Sequence, residues 1–152
     1  MPQKILFSFE YCLLKCLDKK IQGERFTNQV EKSKSKEWFA RLLDTLKVYS
    51  QFTLPELEKQ QVCYKVKDQK VFNRILAILK TAGYKEVWVT KTLYETHLYK
   101  FKPTKKIRLF GFYTGNVLSL LLCDPNHLVE PDDRFGTPKI LECTWCLKDC
   151  SK

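Results

Sequence analysis

At 152 residues the chain has the length of one domain, and its 44% hydrophobic and 29% charged residues exclude a disordered or fibrous chain. The formal net charge of +10 is uneven: residues 61–110 hold 12 basic groups against 3 acidic, residues 1–60 hold 11 against 8, and residues 111–152 hold 4 against 6. No stretch reaches the roughly 18 apolar residues of a membrane span, and the apolar start at residues 5–14 is broken by Glu10 with no small-residue cleavage site after it, so a cytoplasmic chain with no membrane partner is expected.

The first element is a strand over residues 3–12, where Phe7, Phe9 and Tyr11 alternate with smaller or polar groups. Residues 18–36 are polar and charged and read as a long loop or flap. Ser33 or Ser35 is placed to cap a helix in which Trp38, Phe39, Leu42, Leu43, Leu46 and Tyr49 form one apolar face. A short second helix over about 54–61 starts from Thr53, with Pro55 just inside and Glu56 facing the helix dipole. A strand at 62–67 follows, then a helix over 69–82 that stops at Gly83. Val87-Trp88-Val89 and residues 93–101 are rich in β-branched and aromatic residues and read as extended chain. The clearest hairpin joins residues 107–113 to 117–123 through Thr114-Gly115-Asn116. Leu120, Leu121 and Leu122 are apolar on both faces and mark a central strand. Pro131, Asp132, Asp133, Gly136 and Pro138 mark a loop. The expected architecture is α+β: a single domain over 1–138, an antiparallel sheet with two or three helices packed on one face, and a cysteine-containing tail over 139–152.

The strongest chemical signal is the basic stretch Lys100, Lys102, Lys105, Lys106 and Arg108, interleaved with Tyr94, Tyr99, Phe101, Phe110, Phe112 and Tyr113. Lysine and arginine neutralise phosphates and exposed aromatics stack on unpaired bases, so RNA or DNA is the expected partner. Alternation along a strand turns at least half of those aromatics inward as core. A second signal is Asp124-Pro125-Asn126-His127 at the end of the central strand. His127 could act as general acid and base, with Asp124 orienting it, Arg108 holding a phosphate and Tyr113 supplying a hydroxyl. Asp-Pro-Asn is also strong turn chemistry, and a histidine there can simply pack.

Seven cysteines and no export signal suit a reducing compartment with mostly free thiols. Cys143, Cys146 and Cys150, joined by Cys123 or His127, could complete a zinc site. The same three positions share one face of a helix, where cysteine is a small apolar residue. That second reading is preferred, and no cofactor is expected.

The segments Phe7-Ser8-Phe9-Glu10-Tyr11, Trp38-Phe39 with Leu42-Leu43 and Leu46-Lys47, and Phe110-Gly111-Phe112 leading to Asp124-Pro125-Asn126-His127 resemble a loose group of uncharacterised bacterial proteins. At a coarser level, the order of strand, helices, basic strand and Gly-turn hairpin is similar to the RelE/ParE toxin superfamily, whose ribosome-dependent members cut messenger RNA. That resemblance implies a metal-independent endoribonuclease with an acidic inhibitor protein as partner, and sets Lys106, Arg108 and Tyr113 on the working strand. This chain departs from it by a helix near 69–82 and by the cysteine tail. The alternative is a noncatalytic basic module that docks on nucleic acid or an acidic protein in a defence or mobile-element system.

Overall fold

The computed structural model describes residues 3–31, 34–130 and 143–145. Five strands form the main sheet in the order β1-β8-β7-β6-β5. They are β1 (Leu6–Ser8), β5 (Cys63–Lys65), β6 (Leu98–Phe101), β7 (Leu109–Thr114) and β8 (Val117–Cys123). Neighbours pair antiparallel except β1, which lies parallel to β8 with Leu6 opposite Val117. The sheet is therefore mixed. As the run of leucines implies, β8 is an interior strand, paired on both sides.

The β7–β8 hairpin turns at Gly115, whose φ of +64° suits the first position of a tight two-residue connection. A bulge between Phe110 and Gly111 shifts the register, so that Phe110 faces Leu122 and Gly111 faces Leu120. At Gly111 a Cβ would lie 2.2 Å from the Ser119 carbonyl oxygen, so only glycine fits this crossing.

The α+β class holds, but the four helices among the described residues divide between two faces instead of gathering on one. Helices α1 (Ser35–Tyr49) and α2 (Leu54–Lys59) supply Phe39, Leu42, Leu46, Leu54 and Leu57 to a core with Phe101, Leu109, Leu118 and Leu120. Helices α3 (Gln69–Thr81) and α4 (Glu86–Thr96) supply Val71, Ile75, Ile78, Leu79, Val89 and Leu93 to a second core with Leu98, Phe110, Phe112 and Leu122. The physical reason lies in β7 and β8, which are apolar on both sides, so each face needs its own cover.

Helix α2 starts as expected. Thr53 accepts from the Glu56 amide, Glu56 reaches back to the Thr53 amide, and the capping box closes. Asp68 caps α3 by accepting from the Lys70 amide. Helix α1 begins at Ser35 after Lys34, with no side-chain cap bond.

Further sequence expectations are corrected. The flap at 18–36 contains a hairpin, β2 (Asp18–Ile21) with β3 (Glu24–Thr27), turned by Gln22 and Gly23 at φ 54° and 81°. Both positive values fit a type I′ turn. Phe26 and Ile21 are buried beneath this hairpin, and Arg25 forks onto Asp18 at 2.7 and 2.5 Å. The polar composition hid the two apolar positions that anchor it. Residues 86–96 are helix α4, not strand. Val89 and Leu93 share its buried face, and Trp88 packs on Tyr11 and Phe112 at 5.0 and 6.1 Å between ring centroids. Packing against α3 and β7 outweighs the strand preference of Val87-Trp88-Val89. His97, at φ 65°, ends α4 and swings the chain into β6.

A two-residue strand β4 (Val30–Glu31) pairs antiparallel with β9 (Cys143–Trp145). The backbone at 143–145 is thus extended, which removes the helical face proposed for Cys143. Cys146 and Cys150, and the loop expected at 131–138, lie outside the described residues.

Candidate nucleic-acid interface

The basic stretch splits into an exposed part and a buried part. Residues 102–108 connect β6 to β7 through a bend, and the Thr104 hydroxyl accepts from the amides of Lys106 and Ile107 at 3.3 and 3.2 Å. The Trp38 indole on α1 donates to the Lys106 carbonyl at 3.1 Å, which ties the bend to the helix. Ile107 is buried behind it, and Lys105 and Lys106 stand in solvent. Lys102 is half-buried, and its amide donates to the Val62 carbonyl at 2.7 Å beside the edge strand β5. Lys65 and Lys67 continue the exposed charge along that edge.

A groove of about 550 Å³ follows β5, lined by Glu58, Tyr64, Lys65, Lys67, Asp68 and Lys100 among others. Its wall thus mixes both signs of charge.

Lys100 and Arg108 turn inward, at 4% and 3% exposure. Lys100 pairs with Glu130 and lies 5.9 Å from the centre of the Tyr64 ring. Arg108 donates to the Glu130 carbonyl at 2.8 Å. Asp124 has no solvent exposure, and its carboxylate accepts from the amides of Leu128 and Val129 at 2.8 and 2.9 Å. Burial raises its pKa, against those two bonds and the nearby Arg108 and Lys100 charges, which lower it. The Asn126 amide donates to the carbonyls of Thr27 and Gln29, so the loop after β8 is sewn to the β3–β4 segment. His127 is 4% exposed at φ 54°, with its amide directed at the Asp124 carbonyl at 3.4 Å.

Arg108, Asp124 and His127 are therefore gathered at one corner, together with Lys100. Tyr113 is not: it stands on the α1–α2 side of the sheet, 6.0 Å from Tyr99 between ring centroids. Burial raises the pKa of both phenols. Tyr99, Phe101, Phe110 and Phe112 are core residues. Of the six interleaved aromatics, Tyr94 on α4 is the one left open, at 65% exposure.

Sequence reasoning placed Trp38 on an apolar helix face, without its polar bond, and did not single out Thr104 or Arg74. Trp38 acts through one polar bond and Thr104 through two, and no periodicity reveals them. Arg74 is buried on α3 and donates to the carbonyls of Ile21, Glu24 and Arg25, clamping the β2–β3 hairpin.

Among the described residues, no group of three His, Cys, Asp or Glu side chains is placed to hold a metal ion. Of the cysteines in the described part, Cys12, Cys63 and Cys123 are free thiols and Cys16 is disulfide-bonded. No described helix is long and apolar enough to cross a membrane.

A family model described as uncharacterised protein UU032 matches residues 8–152. The chain belongs to this family. The match takes in the Trp38 helix, the basic bend and the Asp124–His127 corner. No curated protein and no solved structure matches the chain.

Proposed function

We propose that this UU032-family protein is a noncatalytic basic module that docks on the phosphate backbone of nucleic acid. The observation that carries this is the pinned bend: Trp38 and Thr104 hold it in place, and it presents Lys105 and Lys106 to solvent beside Lys102. Cations on an ordered support lose less freedom when a phosphate arrives, and each contact releases counterions from the nucleic acid. Lys65 and Lys67 extend the positive strip along the β5 edge.

The RNA-cleaving reading draws less support from the same geometry. His127 and Arg108 are buried and Tyr113 stands on the other side of the sheet, so a scissile phosphate would need the corner to open.

Binding of a fluorescent single-stranded RNA is measured by anisotropy across salt concentration. Affinity falls steeply with salt, and Lys102→Gln, Lys105→Gln and Lys106→Gln together flatten the log–log slope by about 2–3. Affinity that ignores salt, or a triple variant that binds as wild type does, overturns the docking surface. If wild type cleaves the RNA, with or without ribosomes, and His127→Ala lowers that rate by about 10²–10⁴, a RelE-like toxin replaces this reading.

A further inference from the structure

Cys12 and Cys123 have no part in the docking surface, yet the fold brings them together. Cys123 ends β8, immediately before Asp124. Cys12 follows a turn in which its own amide donates to the Phe9 carbonyl at 3.0 Å. The next amide, Leu13, donates to the Leu121 carbonyl at 2.9 Å, which draws this turn against the end of β8. Cys12 is the neighbour that does most to raise the Cys123 pKa, which sets the two side chains close together. Both belong to the core beneath α1 and α2. Cys12 also lines an open depression of about 590 Å³, with Leu13, Leu14, Lys15, Gly83 and Tyr84, through which a small oxidant can reach it.

We infer that Cys12 and Cys123 form a peroxide-oxidisable dithiol site, in which Cys12 is attacked first and Cys123 resolves it to a disulfide. The Cys12 thiolate attacks one peroxide oxygen. The O–O bond breaks, the departing hydroxide takes up the proton that the Cys12 thiol released and becomes water, and Cys12 becomes a sulfenic acid. The Cys123 sulfur then attacks the Cys12 sulfur. An S–S bond forms, the S–O bond breaks, and the Cys123 proton leaves with the hydroxide as a second water. Two thiols lose two electrons and hydrogen peroxide is reduced to two waters.

The division of roles follows from position. Both thiols are buried to a similar degree, but Cys12 lines the depression and Cys123 does not, and the neighbouring Cys12 together with burial holds the Cys123 thiol well above its ordinary pKa. Cys63, the third free thiol among the described residues, is sealed in the core, and burial pushes its pKa up to about 12, so it stays reduced. The new bond would fasten the 9–16 segment to the strand end from which Asp124 organises the 124–130 loop.

Peptide mapping of the intact chain tests this. The protein is treated with hydrogen peroxide, blocked with iodoacetamide under denaturing conditions and digested with trypsin. Cleavage after Lys4, Lys15, Arg108 and Arg134 places Cys12 in peptide 5–15 and Cys123 in peptide 109–134, apart from Cys16 in 16–19 and Cys63 in 60–65. The expected product is peptide 5–15 joined to 109–134, about 2 Da below the sum of the two, and released by dithiothreitol. Cys123→Ser leaves a sulfenic acid on Cys12 that dimedone captures. Cys12→Ser leaves Cys123 reduced and alkylated. Recovery of both wild-type peptides fully alkylated, or of Cys12 carried on to sulfinic acid with Cys123 still reduced, overturns the site. The wild-type map decides this without either variant.

Discussion

Lys105 and Lys100 belong to one basic stretch, yet one stands in solvent on a bend pinned by Trp38 and the other lies buried against Tyr64 and Glu130. Arg108, just beyond the bend, is buried as well, with its guanidinium on the Glu130 carbonyl. The same residue types thus do two jobs. On the bend they keep their hydration and remain available to a partner. At the corner they are desolvated and counter the buried Asp124 carboxylate, and removing one member there would leave the others uncompensated. A run of positive charge in a sequence is therefore not a measure of the charge a protein offers. Only the residues that strand alternation and loop closure leave outside contribute to docking.

The sharpest way to break the contrast is Asp124→Ala. This change strips the Leu128 and Val129 amides of their acceptor and leaves Arg108 and Lys100 without the carboxylate beside them. The expected loss is about 3 kcal/mol or more, read as a lower urea midpoint at unchanged m-value. The pH dependence sharpens it further. Burial raises the folded pKa of Asp124 above its ordinary 3.8, so as pH climbs past that value the unfolded chain releases the proton first. The stability tied to this group therefore declines until the folded carboxyl ionises too, and then levels off. In Asp124→Ala that decline should vanish. A variant with wild-type stability would mean that the corner is no more built than the bend.

A middle effect is expected at Arg74. Arg74→Met keeps the aliphatic stem but leaves three hairpin carbonyls without their donor, at a cost of about 2 kcal/mol. Amide exchange should quicken in residues 18–27 more than in β7 or β8, as measured by hydrogen–deuterium exchange. Uniform quickening would show that the clamp serves the whole fold instead of the hairpin.

The smallest stability effect belongs to the exposed set. Lys105→Gln with Lys106→Gln should shift stability by no more than about 0.5 kcal/mol, because neither side chain is buried. Melting of this pair, set beside its RNA affinity, makes the comparison quantitative: a corner variant loses stability, and a bend variant loses binding alone. A large drop in melting temperature for the pair would assign the bend a structural role.

Much of the fold was legible because local rules and tertiary needs agreed. The α1 spacing, the Thr53 N-cap, the stop at Gly83 and the Gly115 turn each depend on neighbours within a few residues. Among the candidate site residues, the exposed Lys105 and Lys106 and the inward aromatics followed from alternation and composition. Where local and tertiary terms disagreed, the sequence misled: Val87-Trp88-Val89 prefers strand but folds as helix because α3 and β7 offer an apolar surface at helical spacing. The polar 18–27 segment hid a hairpin because its anchors, Ile21, Phe26 and the distant Arg74, are few and far apart in the chain.

By itself, then, the sequence determined the α+β class, the helix starts that carry their own caps, the interior place of the leucine-rich strand and the sign of the excess charge. These are set by periodicity and by side chains bonding their own backbone. The tertiary structure decided the rest: helices on both faces, a parallel β1, the burial of Lys100, Arg108 and His127, the separation of Tyr113 from them, and the meeting of Cys12 with Cys123. Each of these depends on which distant segments share a face or an edge, and desolvation of a charged or nucleophilic group is set by those neighbours and not by its place in the chain.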